Sequence, residues 1–284
     1  MKKMGTVPIF HLRKRLFEAL KEDIGSGDIT SEALISERSE SSAIFLAKEN
    51  GILCGLPFAL EALRLLDPNL QWEIQRFDGA SLEPGVTIAR ITGSTRAILS
   101  GERVALNILC RLSGIATLTA KFVKLVQGTG AKILDTRKTT PLWRDLEKYA
   151  VRTGGGTNHR MGLYDMVLVK DNHIRACGGI REALRKARER VRPGVKVEIE
   201  VTTSLQFQEA LKEQADWIML DNMPVEEMSR CVQAGKGKAI LEASGGINEK
   251  NIRAVAETGV DFVSLGALTH SVKALDISLE LEEN

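Results

Sequence analysis

The sequence predicts an α/β protein: a smaller N-terminal α+β domain followed by a parallel strand–helix array closed into a barrel, although with six strands instead of the usual eight. Three observations predict it. Six short apolar runs recur beyond Gly130, at residues 132–135, 166–169, 195–201, 217–220, 239–243 and 262–265. Amphipathic stretches such as Ile180-Ala183-Leu184-Ala187 and Ile252-Val255-Ala256 separate the later runs, as a parallel sheet requires. Each run ends in a polar or glycine signature: Arg137-Lys138, Lys170, Glu200, Asp221, Ser244-Gly245-Gly246 and Gly266. A doubly wound sheet needs such residues at one switch point, whereas every strand of a barrel opens onto the same mouth.

The elements follow in order. Residues 23–30 are a loop punctuated by glycine and aspartate. Residues 43–47, 72–77 and 86–91 read as strands, with a helix over 58–66 and turns at Asp78-Gly79 and Pro84-Gly85. From 95 to 127 the period is helical, with Ala105, Ile108, Leu109 and Leu112 on one face, and Gly114 is expected to divide two helices. In the run 195–201, Val195, Val197, Ile199 and Val201 alternate with Lys196, Glu198 and Glu200. If the apolar face meets the helices, the charged face makes the barrel interior polar.

Bulk properties narrow the function. A net charge of +2 over 284 residues argues against a nucleic-acid-coating protein, so any basic site is local. The four cysteines (Cys54, Cys110, Cys177 and Cys231) form no C-x-x-C pair, which points to reduced thiols and a cytoplasmic protein. After Met1-Lys2-Lys3, the residues Pro8, His11, Arg13, Lys14 and Arg15 interrupt any signal-peptide core, and no apolar run is expected to reach membrane-spanning length.

The richest chemistry lies between Ile133 and His173. Arg137, Lys138, His159, Arg160 and Lys170 would converge on one mouth and suit a ligand with several negative charges. Arg137, Arg160 and Lys170 suit carboxylates, arginine by its planar fork and lysine as a point charge. Ser244-Gly245-Gly246 and Gly266 follow the last two strands, where barrels commonly hold a phosphate; ordinary turns needing glycine are the plainer explanation. Glu200 and Asp221 could bind Mg²⁺ through water, accept from sugar hydroxyls, act as a base, or pair with neighbouring cations. His159 and His173 lack ligand-like spacing with other His or Cys residues, which argues against a transition-metal site.

These residues resemble a known family. Asp135-Thr136-Arg137-Lys138-Thr139-Thr140-Pro141, Glu147-Lys148-Tyr149-Ala150, Gly154-Gly155-Gly156, Asn158-His159-Arg160 and Lys170-Asp171-Asn172-His173 look like quinolinate phosphoribosyltransferases. So do Gly27-Asp28-Ile29-Thr30, Gly101-Glu102-Arg103-Val104-Ala105-Leu106-Asn107, Leu220-Asp221-Asn222 and Glu242-Ala243-Ser244-Gly245-Gly246-Ile247. Leu142-Trp143 departs from the family, which often has glycine there.

The resemblance implies an N-terminal α/β sandwich domain over 1–112, joined by the tail 271–284, and an open six- or seven-stranded α/β barrel over 113–270. It implies conversion of quinolinate and 5-phosphoribosyl-1-pyrophosphate to nicotinate mononucleotide, pyrophosphate and CO₂, with Mg²⁺. Arg137, His159, Arg160 and Lys170 would then hold the quinolinate carboxylates, and Lys138 would lie near the reacting centre with Thr136 beside it. Glu200 and Asp221 would bind ribose and the metal's water shell, while Ser244, Gly245, Gly246 and Gly266 would cradle the 5-phosphate. Lys138, Lys170, Glu200 and Asp221 carry the catalytic expectation. Arg103 would enter a partner subunit's site, making a homodimer or higher homo-oligomer, with no nucleic-acid or membrane partner. A Schiff-base aldolase using Lys170, a non-catalytic sugar-phosphate binder and a nicotinate-specific relative are the competing readings.

Overall fold

The computed structural model describes residues 9–282, with side chains described from Leu12 onward. Met1-Lys2-Lys3 and Pro8, on which part of the reading against a signal peptide rests, lie outside the described residues. Along the chain run α1 (Ile9–Ile24), α2 (Ile29–Leu34), β1 (Glu40–Ala47), β2 (Gly51–Ile52), α3 (Leu56–Leu66), β3 (Gln71–Ile74), β4 (Ser81–Leu82), β5 (Thr87–Ser94) and α4 (Thr95–Leu125). There follow β6 (Lys132–Leu134), α5 (Arg144–Thr153), β7 (Val167–Val169), α6 (Asp171–Cys177), α7 (Ile180–Arg190), β8 (Val197–Val201), α8 (Ser204–Lys212) and β9 (Trp217–Asp221). The chain ends with α9 (Val225–Gly235), β10 (Ile240–Ser244), α10 (Ile252–Glu257), β11 (Phe262–Ser264), α11 (Ala267–His270) and β12 (Ile277–Leu281). Two compact units result: Met1–Leu118 with Asp145–Gly154 and Val272–Asn284, and Thr119–Arg144 with Gly155–Ser271.

The first unit is a four-stranded antiparallel sheet of order β12-β1-β5-β3 packed against helices. Ala43, Phe45 and Ala47 of β1 share one buried cluster with Ile88 and Ile91 of β5, Leu56 and Leu63 of α3, and Ala105 and Leu109 of α4. Each large side chain buried this way contributes about 1.5–3 kcal/mol of transfer free energy. Asp28 caps α2 by accepting from the Ser31 N–H at 3.0 Å and ties it to α4 through the Ser100 hydroxyl at 2.9 Å. The C-terminal β12 pairs with β1, with Phe45 opposite Leu279.

Two expectations about α4 are corrected. The helix runs unbroken through Gly114, because nothing there needs a break: a Cβ on Gly114 would collide with the Lys273 carbonyl oxygen. The glycine permits a close backbone approach instead. Its 31 residues also include a stretch long and apolar enough to match a membrane span, contrary to the sequence expectation. Of that stretch 56% is buried within the fold, as in a core helix.

The second unit is a six-stranded, wholly parallel sheet of order β6-β11-β10-β9-β8-β7 with helices between successive strands, an open α/β barrel. Four of the six strands fall within the runs read from sequence, and β9 and β10 each extend one residue further, to Asp221 and Ser244. Val197, Ile199 and Val201 of β8 are buried, as are Phe207 and Ala210 on α8 and Met228 and Cys231 on α9. The alternate residue Glu198 is also fully buried, so the interior is polar, as the alternation in β8 predicts. Trp217 of β9 stacks on Phe262 of β11 at 4.9 Å, near the N-terminal ends of their strands.

Candidate active site

The C-terminal ends of the six strands enclose a cavity of about 770 Å³. Thr136, Arg137, Lys138, His159, Arg160, Lys170, Glu200, Asp221, Ser244, Gly245, Gly246 and Gly266 all line it. Twelve of the thirteen expected site residues therefore meet at one mouth. Arg103 is the exception, lying exposed on α4 in the first unit.

Local structure holds the cations in place. After β6 the Lys138 N–H donates to the Thr136 hydroxyl at 3.1 Å, and the Lys138 carbonyl accepts from Thr269 Oγ1 at 2.7 Å. Arg144 fastens this loop to the next, donating to Thr139 Oγ1 at 2.9 Å and to the Met161 carbonyl at 3.0 Å. Leu142 sits between them at φ 66°, the left-handed region that favours glycine. The side chain at this position thus carries backbone strain.

Asp135, fully buried just after β6, anchors the Asn158–Arg160 turn, a role that the sequence pattern alone does not signal. Its carboxylate accepts the Asn158 side-chain amide at 2.5 Å and the His159 N–H at 2.8 Å. Arg160 donates to the Met166 carbonyl at 3.1 Å, and burial, then the neighbouring Arg137, hold its guanidinium below its ordinary pKa. An anion between Arg137 and Arg160 would relieve that repulsion.

Lys170 caps α6, where its N–H donates to His173 Nδ1 at 3.0 Å, and its ammonium meets Glu200 at 2.6 Å. Asp221 accepts from the Asn222 amide at 2.8 Å. Glu200 and Asp221 end adjacent strands and present hard carboxylate oxygens to an aqueous cavity, a donor set that fits Mg²⁺ bound through water.

The opposite wall is backbone. Gly245 and Gly246 hold φ of 88° and 61°, and a Cβ on Gly245 would strike the Asn222 side chain. Successive N–H groups in such turns form anion-binding concavities. A Cβ on Gly266 would press on Lys138 and on His270, another lining residue that sequence reading passed over.

Beneath the mouth lies a group the sequence did not reveal. His159 Nε2 is 2.9 Å from Glu198 Oε2 and 3.6 Å from Glu242 Oε2, with both acids fully buried. Burial pushes both carboxyls up to about 8; neighbouring cations oppose this at Glu198, and Glu198 itself adds to it at Glu242. The three residues come from a turn and two strands, so no sequence spacing could signal them. They are the one metal-ligand-like grouping of three or more such side chains among the described residues.

Residues 28–113 match the model of the quinolinate phosphoribosyl transferase N-terminal domain, and residues 115–280 that of its C-terminal domain. A Bacillus subtilis protein named probable nicotinate-nucleotide pyrophosphorylase [carboxylating] is 47% identical over 95% of this chain and 93% of its own. A Mycobacterium leprae nicotinate-nucleotide pyrophosphorylase [carboxylating] is 41% identical over 95% and 96%. The solved nicotinate-nucleotide pyrophosphorylase of Francisella tularensis superposes with a TM-score of 0.94 at 42% identity, covering 99% of this chain and 100% of that one.

Proposed function

Because the chain belongs to the quinolinate phosphoribosyltransferase family, we propose that its cavity joins quinolinate to the ribose of phosphoribosyl pyrophosphate. The products are nicotinate mononucleotide, pyrophosphate and CO₂, in the de novo route to NAD. One observation carries this reading: a single barrel mouth in which four cations face two strand-end acids and a glycine-rich wall.

Each part has a task. Arg137, Arg160 and Lys170 meet the carboxylates of quinolinate, with His159 at the floor. Gly245, Gly246 and Gly266, with the Ser244 hydroxyl, take the 5-phosphate. Glu200 and Asp221 accept from the ribose hydroxyls and hold the water shell of Mg²⁺, which when bound neutralises charge on the pyrophosphate. Lys138, whose stem lies against Gly266, places its ammonium where the pyrophosphate departs.

The bond changes need alignment more than an activated nucleophile. As the ribose–pyrophosphate bond breaks, positive charge grows on the anomeric carbon and the pyridine nitrogen attacks it. The ring, now cationic, stabilises the electron pair left at C2 when CO₂ leaves, and a proton then closes that position. Holding both substrates in one geometry supplies much of the acceleration, and cations at the mouth stabilise the departing charge.

The exposed Arg103 on α4 supports a homodimer in which this arginine completes the partner's site. Four free cysteines suit a cytoplasmic location. The test is incubation with quinolinate, phosphoribosyl pyrophosphate and Mg²⁺. Nicotinate mononucleotide should accumulate, and its absence with folded protein would refute the reading.

A further inference from the structure

The imidazole of His159 sits at the floor of the cationic mouth, yet its polar atoms point into the protein. Nδ1 accepts the Arg160 N–H at 2.8 Å, so that nitrogen carries no proton. Nε2 faces Glu198 and Glu242 at 2.9 and 3.6 Å. The ring edge also rests on Trp217, with centroids 5.6 Å apart at 61°. Only 7% of the side chain is exposed.

A metal does not explain the cluster. A metal-ligating histidine normally donates its second ring N–H to an acceptor. Here Nδ1 is itself the acceptor, so the proton of the neutral ring lies on Nε2, the nitrogen a metal would need. A direct carboxylate clamp does not explain it either, because both nitrogens are engaged away from the mouth.

Resting on the function proposed above, we infer that His159 is a positioning residue: its neutral ring, wedged between Glu198, Glu242 and the Arg160 N–H, aims the Arg160 guanidinium at the substrate anion. This departs from the expectation that His159 itself holds a carboxylate. Three contacts fix the turn that carries Arg160. Asp135 accepts the His159 N–H, the Asn158 amide reaches the same carboxylate, and the ring accepts from Arg160. The guanidinium, bonded to the Met166 carbonyl, is then left with its remaining donors toward the cavity it lines.

The test is nitrogen NMR on protein labelled with ¹⁵N in its four histidine rings, with His159 assigned by its loss in His159→Asn. Spectra are taken free and saturated with quinolinate and Mg²⁺ but no phosphoribosyl pyrophosphate, so nothing turns over. The expected result is an unprotonated Nδ1 and a protonated Nε2 in both states. An imidazolium with both nitrogens protonated in the bound state would overturn the inference, leaving the function intact. Failure of quinolinate to bind would sink the function, while the free-state tautomer would still decide whether the ring is wedged. Kinetics give a second readout. His159→Asn keeps an acceptor near the Arg160 N–H and should raise the KM for quinolinate about tenfold less than His159→Ala, with the KM for phosphoribosyl pyrophosphate little changed. Equal losses in the two variants would contradict the positioning role.

Discussion

Lys170, which follows β7 and caps α6, meets Glu200 of the neighbouring strand β8 at 2.6 Å, joining a cation of the site to one of its acids. Lys170 is half exposed, so the pair serves to set geometry more than to stabilise the fold. Lys170→Ala and Glu200→Gln are each predicted to lower kcat/KM by about a hundredfold or more, with thermal midpoints close to that of the parent. Steady-state kinetics beside thermal melts will check this. Variants that melt early, or that keep near-parental rates, would remove the pair from the site.

The buried acids predict a pH dependence of stability. Glu198 and Glu242 release their protons near 4.5 when unfolded but hold them to about 8 when folded. The folded state therefore binds more protons between those values, and stability declines as pH rises through that window. Their contribution is fully present below 4.5 and lost above about 8. Glu242→Gln, which mimics the protonated acid, should leave stability nearly unchanged at pH 5 and raise it at pH 9. Urea midpoints at the two pH values will show it, and a variant less stable than the parent at pH 9 would contradict the assignment.

Much of this architecture is legible in the sequence because its signals are local. Six apolar runs, each ending in a polar or glycine signature, place the barrel strands, and Arg137-Lys138 and Lys170 lie at the mouth because they closely follow two of them. Less local features were hidden. Gly114 reads as a helix break until Lys273 is seen packed against it. Residues 145–154 lie between two barrel strands in sequence, yet they pack in the first unit, where Tyr149 donates to Asp78 at 2.8 Å. Glu198 and Glu242 reach one imidazole from strands separated in sequence and bridged in space only by β9. No periodicity encodes such a meeting.

Nicotinate is predicted to be a very poor substrate compared with quinolinate. Without the second carboxylate, part of the cation cluster would lose the charged partner that orients the ring for reaction. A ratio of kcat/KM of at least about a thousand in favour of quinolinate is expected. Comparable efficiencies would contradict recognition of a dicarboxylate.

Arg103 carries the prediction about assembly. Arg103→Ala and Lys138→Ala homodimers should each be nearly inactive. Co-refolding equal amounts makes roughly half the dimers mixed, and each mixed dimer has one intact site, so roughly a quarter of all sites should recover. A mixture that stays inactive although mass spectrometry finds mixed dimers would place Arg103 within its own chain's function.

If one mouth transfers a phosphoribosyl group to a dicarboxylate, that transfer is what makes the loss of CO₂ possible. Quinolinate labelled with ¹⁴C in its 2-carboxyl group tests this most directly. ¹⁴CO₂ should be released only when phosphoribosyl pyrophosphate and Mg²⁺ are present, in a one-to-one ratio with nicotinate mononucleotide. Release of label without phosphoribosyl pyrophosphate, or no release from folded protein supplied with both substrates, would contradict it.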